Sequence, residues 1–85
     1  MTTKNILMIA RHRKVEGLRM ATGLTLLDDR VEVLLCGEPE DEQQAEEQLE
    51  ALEFSDVPVI RIDGSDIMSP VMAEAISKAD VVYIL

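Results

Sequence analysis

The sequence predicts an α/β domain: a small, open, parallel four-stranded sheet joined by helices in the order βαβαβαβ. Two observations predict it. Short apolar runs of strand length alternate with amphipathic segments of helix length along the 85 residues. The apolar runs are also nearly continuous, as in parallel strands that are buried on both faces. No linker or shift in composition divides the sequence, so we expect residues 1–85 to form a single domain.

The first half of the chain has the pattern of a strand, a helix and a second strand. Residues 6–10 form one apolar run, and residues 31–35 are apolar apart from Glu32. Between them, residues 17–27 carry apolar side chains at helical spacing, which predicts one apolar helix face. Those side chains are Met20, Ala21, Leu24 and Leu27. This order of elements predicts a right-handed parallel crossover.

The second half repeats the pattern. Residues 40–53 predict an acidic helix with a narrow apolar stripe that leaves most of it in solvent, and residues 57–62 predict the third strand. Ser69 before Pro70 predicts the start of a third helix, because Ser is a favoured N-cap and Pro favours the first helical position. Residues 81–85 predict the fourth strand. We expect the first and third strands to be neighbours and the core to include Leu7, Ile9, Leu24, Val33, Ile60, Ile76 and Val82.

A basic segment follows the first strand of this acidic protein. The chain has a formal net charge of −9, yet Arg11, His12, Arg13 and Lys14 are consecutive. A loop between a strand and a helix is where α/β proteins bind anionic ligands, and the positive end of the helix dipole lies there too. We therefore predict an anion-binding segment at residues 11–14, called the basic loop below. The negative group beside it would be a ligand, a partner, or an acid of the protein such as Asp63.

Composition and motifs narrow the classes of function. A pI of 4.4 and only two aromatic residues argue against nucleic-acid binding. The glycine-rich motifs that wrap nucleotide phosphates are missing, and residues 10–12 lack the acids that hold Mg²⁺ in phosphoryl-accepting receiver domains. The residues indicate neither a metal nor a cofactor. With no signal peptide and no run of about 20 apolar residues, we expect a cytoplasmic protein without a membrane partner.

The single cysteine, Cys36, ends the second predicted strand and is the candidate catalytic residue. One cysteine permits neither an internal disulfide nor a CxxC centre. A helix N-terminus nearby would lower the pKa of the thiol, whereas Glu38, Glu40 and Asp41 would raise it. We expect a buried structural cysteine that reacts slowly, with a reactive thiol as the alternative. His12 has no adjacent acid and is expected to be an exposed loop residue.

Four segments resemble the DsrE/DsrF-like family of small α/β proteins, which includes subunits of sulfur-relay complexes. They are residues 4–9 (KNILMI), 17–24 (GLRMATGL), 31–35 (VEVLL) and 75–83 (AISKADVVY). The resemblance implies a flavodoxin-like sheet and oligomers of like or paralogous subunits. In active members, a cysteine near the carboxyl end of the third strand carries persulfide sulfur. Residues 59–63 contain no thiol, which implies a non-catalytic member.

From these observations we expect a small DsrE-like subunit that acts by binding, as an accessory to sulfur transfer or redox chemistry, rather than as an enzyme. It would form a homodimer or homotrimer, or assemble with paralogous subunits, because its apolar final strand carries few polar residues to protect an edge. Two alternatives stay open. One is a sulfurtransferase that carries persulfide on Cys36, and the other is a small anion-binding protein that uses Arg11 to Lys14.

Overall fold

The computed structural model describes residues 3–27, 29–62 and 70–85. Strands and helices alternate along these residues, and every paired strand is parallel to its neighbour. The elements are β1 (Asn5–Ala10), α1 (Lys14–Leu24), β2 (Arg30–Cys36), α2 (Glu42–Phe54), β3 (Val59–Ile62), α3 (Pro70–Lys78) and β4 (Val81–Ile84). This confirms the predicted α/β class with a four-stranded parallel sheet, an arrangement consistent with a small flavodoxin-like fold.

The strands lie in the order β3-β2-β1-β4 across the sheet. β1 therefore lies between β2 and β4, and the prediction that the first and third strands are neighbours is wrong. From β1 the chain moves outwards to β3, and α3 then carries it back to the other side of β1. Because right-handed crossovers in opposite directions place their helices on opposite faces, α1 and α2 cover one face and α3 covers the other. The direction of winding reverses between β1 and β4.

The face under α1 and α2 holds the larger cluster of buried side chains. Gly17 lets α1 lie close to β1, since a Cβ at that position would stand 3.0 Å from the Cβ of Ala10. α2 begins after Asp41, whose carboxylate accepts a hydrogen bond from the N–H of Gln44 at 3.1 Å. The buried residues of this cluster are Met8, Val15, Leu18, Ala21, Val31, Val33, Ala45 and Leu52. Most of α2 faces solvent, as its narrow apolar stripe predicts.

On the opposite face, the described residues place one helix over four strands. Met72 and Ala75 of α3 pack in a cluster with residues of β1 and β2, including Leu7 and Ile9. α3 therefore lies above the two central strands, and both outer strands keep apolar side chains at the surface. The exposed fractions are 37% for Ile60, 36% for Val82 and 59% for Ile84, with 43% for Ile76 on α3 itself.

The predicted core is therefore only partly correct. Leu7, Ile9 and Val33 are buried, and Leu24 is partly buried against the first cluster. The prediction is wrong for three residues, because β3 and β4 are edge strands and α3 has no helix beside it in the described chain. Those residues are Ile60, Ile76 and Val82.

Element boundaries differ from the predictions by a few residues. α1 begins at Lys14 rather than at residue 17, and it ends at Leu24. Pro70 is the first residue of α3, as predicted, while the predicted N-cap Ser69 lies outside the described residues. None of the helices in the described ranges has the length and apolar composition that a membrane span requires.

Candidate functional site

The basic loop connects β1 to α1 at the carboxyl edge of the sheet, beside the point where the winding reverses. Three consecutive N–H groups, from Arg11, His12 and Arg13, donate to the carbonyl oxygen of Leu85 at 3.2, 2.7 and 3.0 Å. Leu85 follows β4, and its own N–H donates to the carbonyl of Ile9 at 3.0 Å. Consecutive amides that converge on one point form the kind of concavity that binds anions. Here the three amides bind the carbonyl oxygen of Leu85, so the protein's own backbone takes the place of an anion.

Glu40 supplies the negative group at the N-terminus of α1. It lies between β2 and α2, and its carboxylate accepts hydrogen bonds from the N–H of Lys14 at 3.1 Å and of Val15 at 2.7 Å. The side chain of Arg13, the N-cap residue, makes no capping hydrogen bond. A carboxylate at this end of a helix also interacts favourably with the helix dipole. These hydrogen bonds, above all the one from Val15, hold the pKa of Glu40 below its ordinary value.

An acid of the protein therefore lies beside the basic loop, which was one of the three possibilities expected from the sequence. The acid is Glu40, whereas Asp63, the residue singled out from the sequence, lies outside the described residues. Glu40 was missed because the sequence placed it inside the first turn of α2. The sequence does contain a signal for this position. Glu40 directly precedes Asp41, the N-cap of α2, and so belongs to the loop after β2, the strand next to β1.

The cationic side chains of the basic loop are less occupied than its backbone, although the charge of Lys14 also lowers the pKa of Glu40. Across the described ranges, Arg11, Arg13 and Lys14 form no ion pair, and the ion pairs that are present lie within α1 and within α3. His12 and Arg13 are exposed, while Arg11 and Lys14 are half-buried. The backbone amides of this loop are thus occupied, whereas its cationic groups form no ion pair with any described residue.

Cys36 lies close enough to the basic loop for the charges of Arg11 and Lys14 to affect its pKa. It is the last residue of β2 and is 3% exposed, packed in the cluster under α3. Burial raises the pKa of the Cys36 thiol, and the charges of Arg11 and Lys14 lower it to a lesser degree. The buried cysteine expected from the sequence is confirmed. The upward shift of its pKa comes from burial and not from the acids that follow it in the sequence.

A separate groove of about 830 Å³ opens at the amino ends of the strands, away from the basic loop. Charged residues line part of it, among them Asp29, Glu32 and Lys78. At this edge, the Asp29 carboxylate accepts a hydrogen bond from the N–H of Lys4 at 3.0 Å, which holds the start of β1 in place. The sequence did not indicate this groove, because its walls come from β1, β2, α3 and the turns between elements, which only the fold brings together.

In the described part of the chain, no group of three or more His, Cys, Asp or Glu side chains is arranged to hold a metal ion. No protein-family model, curated protein or solved structure matches the chain. The candidate site combines cations that form no ion pair within the described ranges with a buried thiol whose raised pKa favours the protonated form.

Proposed function

We propose that this protein is a small binding subunit that works in an oligomer. The observation that carries the proposal is the difference between the two edges of the sheet. At one edge, Pro58 precedes β3 and Arg61 lies within it, and both residue types discourage pairing with another strand. At the other edge, residues 81–84 carry no charge and no proline. Residue types that discourage edge pairing are thus present at one edge of the described sheet and missing from the other.

The small core supports the same proposal. A chain of this length buries a little more than about 60% of its unfolded surface, so each apolar side chain left in water matters for its stability. Several large apolar side chains on and beside β4 remain at the surface, including Val82, Tyr83 and Ile84. A partner that covers them would stabilise the folded subunit, because burial contributes about 25 cal/mol per Å² of apolar area.

From the DsrE/DsrF-like resemblance alone, we further propose that the subunit is cytoplasmic and accessory to a sulfur-transfer or redox system. A role as the sulfur carrier has less support. Sulfur transfer needs an accessible thiolate, whereas Cys36 is buried and its pKa is raised. Intact mass after incubation with a persulfide donor tests this point: an adduct of one sulfur atom that is lost in Cys36→Ser would favour the sulfurtransferase.

Anion binding by the basic loop is a second candidate function. The side chains of Arg11, Arg13 and Lys14, which have no ion-pair partner among the residues that the structure describes, favour it. Because Glu40 and Leu85 occupy the backbone amides, an anion would contact these side chains only. Such a site depends on charge, so its affinity should fall steeply with salt.

Sedimentation equilibrium at micromolar concentration tests the main proposal. We expect a mass that is a whole multiple of 9.5 kDa, the mass of one chain. A single species of 9.5 kDa that unfolds cooperatively would show that the core suffices alone and would overturn the proposed oligomer.

A further inference from the structure

The hydrogen-bonding groups of β4 can be assigned to its two sides. Leu85 donates its N–H to Ile9 and accepts the N–H of Arg11, so both of its backbone groups face β1. In an extended strand, these groups alternate in direction from one residue to the next. The N–H and C=O of Val82 and Ile84 therefore face away from β1, on the side where the described sheet has no further strand.

We propose that two copies of this chain pair through β4, antiparallel about a two-fold axis, into a continuous eight-stranded sheet. This inference rests on the proposed oligomer and names its partner and register. A two-fold interface brings the same surface of both subunits together, and the antiparallel register that uses all four outward groups places Val82 opposite the partner's Ile84. Tyr83 then lies opposite the partner's Tyr83. A register shifted by two residues in either direction pairs only one of the two outward-facing residues of β4 with the β4 of the other copy.

The apolar side chains around β4 agree with this pairing. Lys78 lies on the β2 side of α3, where it shares a groove with Glu32. Ile76 is two residues earlier, about 200° around the helix at about 100° per residue, and so lies on the flank that faces β4. Val82 and Ile84 extend from β4 on the same face of the sheet as Leu7 and Ile9, their neighbours in register. Ile76, Val82 and Ile84 thus form one apolar strip along the seam.

Four strand residues span only about 13 Å, so hydrogen bonds alone make a small interface. The apolar strip extends the contact on one face. On the other face, the two Tyr83 rings would be directly opposite each other at a non-hydrogen-bonded position, where side chains are closest. Aromatic cross-strand pairs of this kind contribute to sheet association.

The distribution of charge favours a second copy despite the net charge of −9. The acids of α2 lie at the other end of the sheet, because α2 connects β2 to β3. β2 alone is two strand spacings, about 10 Å, from β4. Pairing through β4 therefore places the two acidic helices at the far ends of the assembly, where salt screens their repulsion. Pairing through β3 would bring them together.

Disulfide trapping of the full chain tests the register. Tyr83→Cys in a Cys36→Ser background should form a disulfide-linked dimer under mild oxidation, because opposed Cα atoms at such a position are about 4.5 Å apart. Val82→Cys in the same background is the matched control. Its two copies would be diagonal to each other, beyond the reach of a disulfide, so it should stay unlinked. Equal linking of both variants, or linking of Val82→Cys alone, would overturn the register.

A second pair of variants tests the interface without new cysteines. Ile84→Lys should raise the dissociation constant of the dimer by about tenfold or more, as lysine does when it protects an edge strand. Leu26→Lys, at a side chain that is 88% exposed beyond α1, should leave it unchanged. Circular dichroism confirms that each variant is folded. A monomeric parent chain would overturn the proposed oligomer. This holds even if β4 pairs with a different protein. An oligomer that is insensitive to Ile84→Lys and unlinked by Tyr83→Cys would overturn only the β4 pairing.

Discussion

Replacement of Glu40 by Ala tests how the N-terminus of α1 is stabilised. The substitution removes the acceptor of two helix amides, from Lys14 at 3.1 Å and from Val15 at 2.7 Å, without disturbing the core. Loss of a side-chain cap costs about 0.5–2 kcal/mol, and loss of a carboxylate near the positive end of the dipole costs about 0.3–1 kcal/mol. Because Glu40 is exposed, solvent screening places both at the low end of their ranges. We expect stability to fall by about 1 kcal/mol in total.

Urea and thermal unfolding measure this loss, with Glu38→Ala as the matched control. Glu38 is an exposed acid two residues earlier that makes no hydrogen bond or ion pair among the described residues. Both variants lose one negative charge, so their difference isolates the cap. For a domain of this size, 1 kcal/mol corresponds to a shift in Tm of about 4–8 °C. Equal stability of the two variants would refute the cap.

The pH dependence gives an independent check. The pKa of Glu40 is lower in the folded protein than in the unfolded chain. Its contribution is therefore fully present above the unfolded pKa, about 4.3 for a glutamate, and disappears as the pH falls through the lower folded value. The stability difference between the parent and Glu40→Ala should shrink on acidification. A difference that stays constant or grows below about pH 4 would contradict the assignment.

Three further predictions address packing, the thiol and the basic loop. Gly17→Ala should lower stability by about 1 kcal/mol through overpacking against Ala10, whereas Gly23→Ala in the same helix, with nothing within 4 Å, should raise it by about 0.5–1 kcal/mol; effects of equal sign in urea unfolding would contradict this packing. Cys36 should react with a thiol reagent far more slowly in the native protein than in urea, and equal rates would show that it is accessible. Phosphate should raise the Tm of the parent in a salt-sensitive way but not that of a variant with Gln at all three Arg and Lys positions of the basic loop; an unchanged parent Tm would refute the anion site.

The elements could be predicted because their signals are local, but the strand order could not. A few adjacent residues are enough to predict an element, as in the apolar run at residues 6–10 and the helix start at Pro70. Whether β4 pairs with β1 or extends the sheet beyond β3 depends on the path of α3 across the face, which no short pattern encodes. The misplaced core residues Ile60 and Val82 follow from this one uncertainty, since hydrophobicity alone does not distinguish a central strand from an edge strand.

The candidate site was likewise predicted only in its local features. The sequence indicated that cations at a helix N-terminus need a negative group, which is a local electrostatic argument. It did not identify Glu40, because Glu40 is separated from Val15 by 25 residues. The loops that follow two adjacent parallel strands lie side by side whatever their separation along the chain. Once β1 and β2 are known to be neighbours, an acid just before the second helix is within reach of the first.

The two surfaces of interest meet at the junction of β1 and β4. The carbonyl of Leu85 holds three amides of the basic loop, and the N–H of Leu85 holds the end of β1. The outward groups of Val82 and Ile84 lie on the same short strand, one to three residues away. A partner that binds the outward groups of β4 would therefore also fix the carbonyl of Leu85, which accepts the hydrogen bonds of the basic loop. The position of the cations of the basic loop thus depends on β4, although the two surfaces share no side chain.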